Sequence, residues 1–152
     1  MTRYTYSDLQ SFVATMYRNK PFFMRPYAYP VEFLNVAVAA TATQFLTIQA
    51  NGDFTLTEIA SFVSSVAATP APSPPLGAIQ IVDTGSNEKW TNDLTPVLNY
   101  AGNGIAPGPF YLAFPRFVQG NTRLQIQFRN DGAVAVNLYL TLRGVTSKIF
   151  SN

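Results

Sequence analysis

The chain has 152 residues, a formal net charge of +2 and only 12% charged residues, and its 12 phenylalanines and 8 tyrosines make it rich in aromatic side chains. This length predicts a single domain with a core of its own. The absence of histidine and cysteine excludes histidine-dependent triads, cysteine nucleophiles and thiolate metal sites within the chain. So few charges favour an assembly subunit over a free enzyme.

Charge and hydropathy also limit the partners that we expect. The ten Lys and Arg residues are scattered along the chain, which disfavours nucleic-acid binding. No apolar stretch approaches the roughly 18 to 20 residues that span a bilayer, and the first residues lack the layout of a signal peptide. We therefore expect that the protein binds neither nucleic acid nor a membrane. We also expect that it uses no cofactor and that it is synthesised in the cytoplasm.

The first 30 residues differ in character from the rest. Ser7 and Gln10 have the spacing of a capping box, which predicts a short helix that ends before Pro21. The prolines and aromatic residues of 21–30 predict an extended arm, which lies either over its own domain or over a neighbour. We therefore divide the chain into a helix and arm, residues 1–30, and a β-sandwich domain, residues 31–152.

Alternation of apolar and polar residues predicts strands after the arm. Candidate strands are residues 32–38, 44–49, 54–63, 76–83 and 110–114. Residues 54–63 are partly apolar on both faces, as in an inner strand that is covered on two sides. The proline-rich residues 67–75 cannot join a strand ladder and predict a long exposed loop.

Residues 123–144 show the clearest pattern. Apolar residues alternate with polar ones on both sides of the turn Asn130-Asp131-Gly132, which predicts a half-buried antiparallel pair of strands. The count of seven or eight short strands predicts an all-β fold. We expect an antiparallel β-sandwich of jelly-roll type with a short N-terminal helix and an extended arm.

Residues 108–122, followed by Leu124-x-Ile126-x-Phe128-x-Asn130 and Leu138-x-Leu140-x-Leu142-x-Gly144, resemble small virion proteins of tailed phages. A proline-flanked strand, a turn at Asn121-Thr122 and two final strands ending in a glycine carry the resemblance. The nearest group is the capsid decoration, or cement, proteins with a jelly-roll fold. The resemblance implies a virion structural protein without catalytic activity, located on the capsid surface. It would bind and stabilise the major capsid protein shell as a homo-oligomer.

Aromatic residues, methionine and arginine are enriched at protein interfaces. On this ground, the candidate partner-interface residues are Phe22, Phe23, Met24, Arg25, Tyr27, Tyr29, Trp90 and Arg116. Arg116, Arg123, Arg129 and Arg143 solvate the outer sheet surface or, if gathered on one face, pair with an acidic capsid surface.

Two other classes of function stay open. A carbohydrate-binding module, or another tail or neck module of a virion, would use Trp90 with Tyr100 as a sugar platform. A dimeric aspartic peptidase would use Asp83, because residues 82–86 look like the Asp-Thr-Gly turn of pepsin-type enzymes. The same residues also fit a strand end followed by an Asx turn.

Acidic residues of the same region raise the possibility of a cation site. Asp83, Glu88 and Asp93 carry the carboxylates that a hard cation prefers. Their spacing matches no calcium-binding loop, so we expect solvated side chains rather than a metal site.

Overall fold

The computed structural model describes residues 3–97, 102–103 and 110–150, and they form two packed β-sheets with a short N-terminal helix. The helix α1 spans Tyr6–Met16. The strands are β1 (Phe22–Val36), β2 (Thr41–Thr47), β3 (Asp53–Ser65), β4 (Gly77–Asp83), β5 (Glu88–Lys89), β6 (Thr95–Pro96), β7 (Gly102–Asn103), β8 (Phe110–Val118), β9 (Arg123–Asn130) and β10 (Val136–Ile149).

The long strands alternate between the two sheets. Sheet A has the order β1-β10-β3, with β8 and β7 pairing β3, whereas sheet B has the order β2-β9-β4, with β5 and β6 pairing β4. The described strand pairs are antiparallel except for the short contact of β7 with β3. This order is that of a double-sheet jelly roll, so the predicted fold class is confirmed.

The hydrophobic core lies between the sheets. Phe33 of sheet A and Phe128 of sheet B meet across it with ring centroids 5.7 Å apart. Tyr29 packs its ring against Phe54 at 4.9 Å. Burying a large apolar side chain stabilises the fold by about 1.5–3 kcal/mol, so these inward-facing residues supply much of the driving force for folding.

The two final strands do not pair with each other, and this part of the prediction is wrong. β9 lies between β2 and β4 in sheet B, while β10 lies between β1 and β3 in sheet A. Alternate residues of both strands are buried as predicted. Their apolar faces meet across the sandwich instead of lying side by side, because alternation specifies a buried face and not a strand partner.

Asn130 fixes the crossing from one sheet to the other. Its fully buried side chain donates hydrogen bonds to the carbonyl oxygens of Val36 at 3.0 Å and Val134 at 2.8 Å, and its Oδ1 accepts from the Gly132 N–H at 2.9 Å. Its own carbonyl accepts from the Ala39 N–H at 2.9 Å. Asn130 thus connects the end of β9 with the end of β1 and with the residues just before β10.

Replacing Asn130 by Ala should lower the free energy of unfolding by about 3 kcal/mol, because two carbonyl groups lose their donor in a buried setting. Urea-induced unfolding measures the change. The exposed Asn51, replaced by Ala in the same way, is the matched control and should change stability little. Equal stability of the two variants would contradict the role given to Asn130.

A bulge interrupts the alternation of β3. Its register with β10 shifts between Arg143 and Gly144, which leaves Thr57 unpaired across the strands, and the Thr57 hydroxyl donates to the Arg143 carbonyl at 3.1 Å. Gly144 permits this close approach, since a Cβ there would lie 1.9 Å from the carbonyl oxygen of Thr55. The bulge reverses the order of inward and outward side chains, as bulges do.

Because of the reversal, residues 54–63 do not follow the simple alternation that would place Phe54, Leu56 and Glu58 on one face. Phe54 and Leu56 enter the core before the bulge, and Ile59 and Val63 enter it afterwards. Glu58 therefore faces outward and does not share a face with Phe54. Residues 54–59 are covered on both faces, as predicted for 54–63, but farther along the strand Phe62 is 37% exposed.

The predicted helix is present, but its cap lies two residues earlier than expected. Thr5 and Asp8 form the capping box: the Thr5 Oγ1 accepts from the Asp8 N–H at 3.1 Å, and the Asp8 carboxylate accepts from the Thr5 N–H at 2.9 Å. The bonds from Thr5 lower the pKa of Asp8. Ser7 lies inside the first turn instead.

The predicted arm forms the first half of β1. It pairs with β10 from Phe22 opposite Ile149, and β1 continues without a break across the boundary predicted between residues 30 and 31. β1 is an edge strand of sheet A, where Pro26 and Pro30 are tolerated because an edge leaves one row of N–H groups unpaired. Of the two predicted placements, the arm takes the one over its own domain.

Tyr17, the residue after α1, attaches the helix to sheet A. Its hydroxyl donates to Asp53 Oδ2 at 2.6 Å and lies 2.9 Å from the Ser147 Oγ. Its ring makes edge contacts with Phe22 and Phe117. Burial and the hydrogen bond to Asp53 raise the pKa of Tyr17 to about 12.

Replacing Tyr17 by Phe should lower the free energy of unfolding by about 1–2 kcal/mol at neutral pH, because Asp53 loses a donor. The folded protein holds the Tyr17 proton more tightly than the unfolded chain does. The stability that this adds is therefore complete below pH 10.0 and is lost as the pH rises toward about 12.

Urea unfolding at about pH 8 and about pH 11 tests the titration, since the Phe variant lacks the ionisable group. The variant should lose less stability than the wild type between these two pH values. An equal loss in both proteins would show that Tyr17 does not carry the effect.

Candidate functional site

Two of the predicted interface residues meet where the open edges of the sheets face each other. Arg116 of β8 stacks on Trp90, which follows β5, with the Arg116 Cζ 4.7 Å from the ring centroid. The Arg116 Nη1 lies 2.9 Å from Glu88 Oε1. Because β8 belongs to sheet A and β5 to sheet B, these contacts join the two sheets along this edge.

Asp83 lies at the end of β4 beside this cluster. Its Oδ1 accepts hydrogen bonds from the N–H groups of Gly85 at 2.8 Å and Ser86 at 3.3 Å. This is the Asx turn that the sequence suggests as the simpler alternative to a peptidase turn. Asp83 and Glu88 are direct cross-strand neighbours.

A cavity of about 300 Å³ lies at this edge, and Asp83, Glu88, Trp90 and Arg116 are among the residues that line it. Asp93 uses its carboxylate locally, accepting from the Leu94 N–H at 2.7 Å. Within the described ranges, no group of three or more acidic residues is placed to hold a metal ion. Tyr100, the second half of the predicted sugar platform, lies outside the described residues.

The predicted interface residues of the arm divide into three groups. Phe23 and Arg25 are exposed, and the Phe23 ring contacts that of Phe150 at 5.7 Å. Phe22 and Met24 are half-buried. The other two, Tyr27 and Tyr29, pack against the core, and the Tyr29 hydroxyl accepts from the Gln49 N–H at 3.1 Å.

Tyr29 is therefore a core residue and does not offer surface to a partner, because its side chain points inward from β1 toward Phe54. This corrects its assignment as an interface residue. Phe23 is exposed, as a contact residue must be, and its neighbour Phe150 is an exposed aromatic residue that the sequence analysis did not single out.

The four arginines do not gather on one face, so the alternative that required a shared face is excluded. Arg116 and Arg143 belong to sheet A, and Arg123 and Arg129 belong to sheet B. Each has its own partner: Arg116 pairs with Glu88, Arg143 with Glu58 at 3.2 Å and Arg129 with Asp131 at 2.6 Å, while Arg123 stacks on Phe45 at 3.9 Å. The pairing with Arg129 lowers the pKa of Asp131.

An apolar surface that the sequence did not predict lies at the end of the sandwich around Asn130. It consists of aliphatic side chains that are between 40% and 59% exposed. We name this surface the apolar end and define it by Leu34, Val38, Val66, Leu76 and Val134.

Hydrogen bonds and close contacts bring the loops of the apolar end together. Asn130 bonds to residue 39 of the first loop and residue 134 of the third. The second loop folds back on β3, where the Ser65 N–H donates to the Ala71 carbonyl at 2.8 Å. Loops 37–40, 66–76 and 131–135 contain one charged residue, Asp131. The sequence alone shows this lack of charge, but it does not show that the three loops lie at the same end of the sandwich.

Comparison with known proteins adds no assignment. No protein-family model matches the chain, and no curated protein matches its sequence. None of the helices that the structure describes is long and apolar enough to cross a membrane.

Replacing Arg116 by Met should lower the free energy of unfolding by about 1 kcal/mol, since a partly exposed cation–π contact and a surface ion pair each contribute up to that order. Trp90 is the one tryptophan of the chain, so its fluorescence reports directly on loss of the guanidinium above its ring. Arg25→Met is the matched control at an exposed site. Unchanged emission in the Arg116 variant would contradict the stacked geometry.

Proposed function

We propose that the protein is a structural component of a tailed-phage virion that binds and stabilises the outer surface of the capsid. The observation that carries the proposal is the apolar end, where four aliphatic side chains are exposed on loops and a fifth, that of Leu34, is exposed near the end of β1. Several exposed apolar side chains at one end of a protein are typical of a site of interaction. The loops of the apolar end, in which Asp131 is the one charged residue, match the composition of interface centres, where charged residues are depleted.

The chemistry of the apolar end favours a protein partner with a complementary apolar surface. Asp131, the charged residue of its loops, is already paired with Arg129. Docking would therefore bury no unpaired charge, which avoids the main electrostatic cost of forming an interface. The partner proposed here is the major capsid protein, the main component of the shell surface.

The fold and the sequence resemblance support the same proposal from another direction. Jelly-roll sandwiches form viral capsid domains as well as lectin domains. Because one fold supports many functions, the fold contributes only context, and the apolar end supplies the specific surface. Each copy on the shell would contribute one modest interface, and the contributions of many copies would sum to a large stabilisation of the shell.

We also propose that copies of the protein contact one another through Phe23 and Phe150. This exposed aromatic pair lies at the β1 end opposite to Leu34. A strand extends about 3.3 Å per residue, so the length of β1 separates the Phe23–Phe150 pair from the apolar end. A neighbouring copy bound at the aromatic pair would therefore leave the apolar end free to bind the shell.

Replacing Val134 by Glu should abolish capsid binding, because the new carboxylate would lose its hydration in an apolar interface. The measurement is co-sedimentation with empty, expanded capsids assembled from the proposed partner, the major capsid protein. Leu76→Glu should have the same effect. Thr43→Glu adds the same charge on the exposed strand β2 and is the matched control.

The wild type and the Thr43 variant should pellet with the shells, and the Val134 and Leu76 variants should stay in solution. Thermal melting verifies that all four proteins are folded. Failure of the wild type to pellet would reject capsid binding. Equal pelleting of all variants would reject the apolar end as the contact surface.

A further inference from the structure

A second cavity, of about 510 Å³, lies on the outer face of sheet A beside the start of α1. Its floor includes one row of cross-strand neighbours from four strands. The row runs through Ala28 of β1, Arg143 of β10, Glu58 of β3 and Tyr111 of β8. The N-terminal segment supplies the wall, and the Tyr4 hydroxyl anchors that segment by donating to the Leu112 carbonyl.

Glu58 is the unusual residue of this cavity. Its side chain is only 8% exposed, and its Oε1 lies 3.2 Å from the Arg143 Nε. Its other carboxylate oxygen, Oε2, is buried without a hydrogen-bond partner among the described residues. A buried carboxylate oxygen without a donor is costly, so a ligand that brings an O–H or N–H group to Glu58 would gain binding free energy there.

The charges of the lining restrict the class of ligand. Arg3 and Arg143 contribute two positive charges and Glu58 one negative charge among the lining residues. A cationic ligand would face the two guanidinium groups, and an anionic ligand would face the carboxylate. A neutral ligand with hydroxyl groups satisfies both, because a hydroxyl donates to a carboxylate and accepts from a guanidinium.

Aromatic side chains complete the lining. Tyr6 is 63% exposed at the rim, and Tyr111 is partly exposed on the floor next to Glu58. Tyrosine offers an apolar ring with a polar tip, and it packs well against a ligand that has one apolar and one polar side. The volume also lies within the range of small-molecule sites, about 300–1,000 Å³.

We propose that this cavity binds a neutral saccharide. Glu58 accepts a hydrogen bond from a sugar hydroxyl, Arg143 donates one to a sugar oxygen, and Tyr6 and Tyr111 pack against the apolar face of the ring. The site is separate from the predicted platform around Trp90. It also shares no residue with the apolar end, so it does not depend on the capsid proposal.

Cellobiose, lactose, maltotriose and N,N′-diacetylchitobiose are the probes, with lysine as a cationic comparison. Saturation-transfer-difference NMR detects which of them bind, and isothermal titration calorimetry gives the affinity. At least one of the four sugars should bind the wild-type protein. Glu58→Gln keeps the shape of the side chain but removes its charge, and it should weaken binding by about tenfold, because a hydrogen bond to a charged group is lost.

Tyr6→Ala is the second variant, since an exposed rim residue can be removed without loss of folding; it should weaken binding about fivefold. Glu32→Gln, at an exposed position of β1, is the matched control and should bind as the wild type does. Thermal melting verifies folding, and the Tyr6 variant decides the matter if the Glu58 variant does not fold. Binding of none of the four sugars, binding of lysine alone, or unchanged affinity in both variants would overturn the proposal.

Discussion

The buried side chain of Asn130 is the interaction on which the arrangement of this sandwich depends. An apolar side chain in place of Asn130 could fill the same space between β9 and β10. It would, however, leave the carbonyl groups of Val36 and Val134 without donors. By satisfying both, Asn130 connects the ends of β1 and β9 with the residues just before β10 and brings the loops 37–40 and 131–135 together. Two of the three loops of the apolar end are thus positioned by one set of hydrogen bonds.

The bulge at Thr57 has a comparable influence on the outer face of sheet A. Without the extra residue, Glu58 would continue the inward row of Phe54 and Leu56, and a carboxylate would enter the core. The bulge turns Glu58 outward beside Arg143, under the edge of α1. Bulges often reposition side chains near functional sites, and this one supplies the charged pair on the cavity floor.

The sequence predicted those features that depend on local patterns. The helix, the fold class and the buried faces of β9 and β10 follow from periodicity within one segment. The pairing of β9 with β10 was predicted wrongly because the choice of strand partner depends on residues far away in the chain. The faces beyond Thr57 were missed for a related reason: the bulge requires Gly144, more than 80 positions later, to approach Thr55. The apolar end and the cavity likewise combine separate segments.

The two prolines of β1 have a consequence for the behaviour of the protein at high concentration. An exposed edge strand is a template on which another chain can add a strand and begin an aggregate. Pro26 and Pro30 remove two backbone donors from an edge strand of sheet A, so an incoming strand could not complete its ladder. Copies crowded on one surface would then meet through side chains, and growth into fibres along this edge would be blocked.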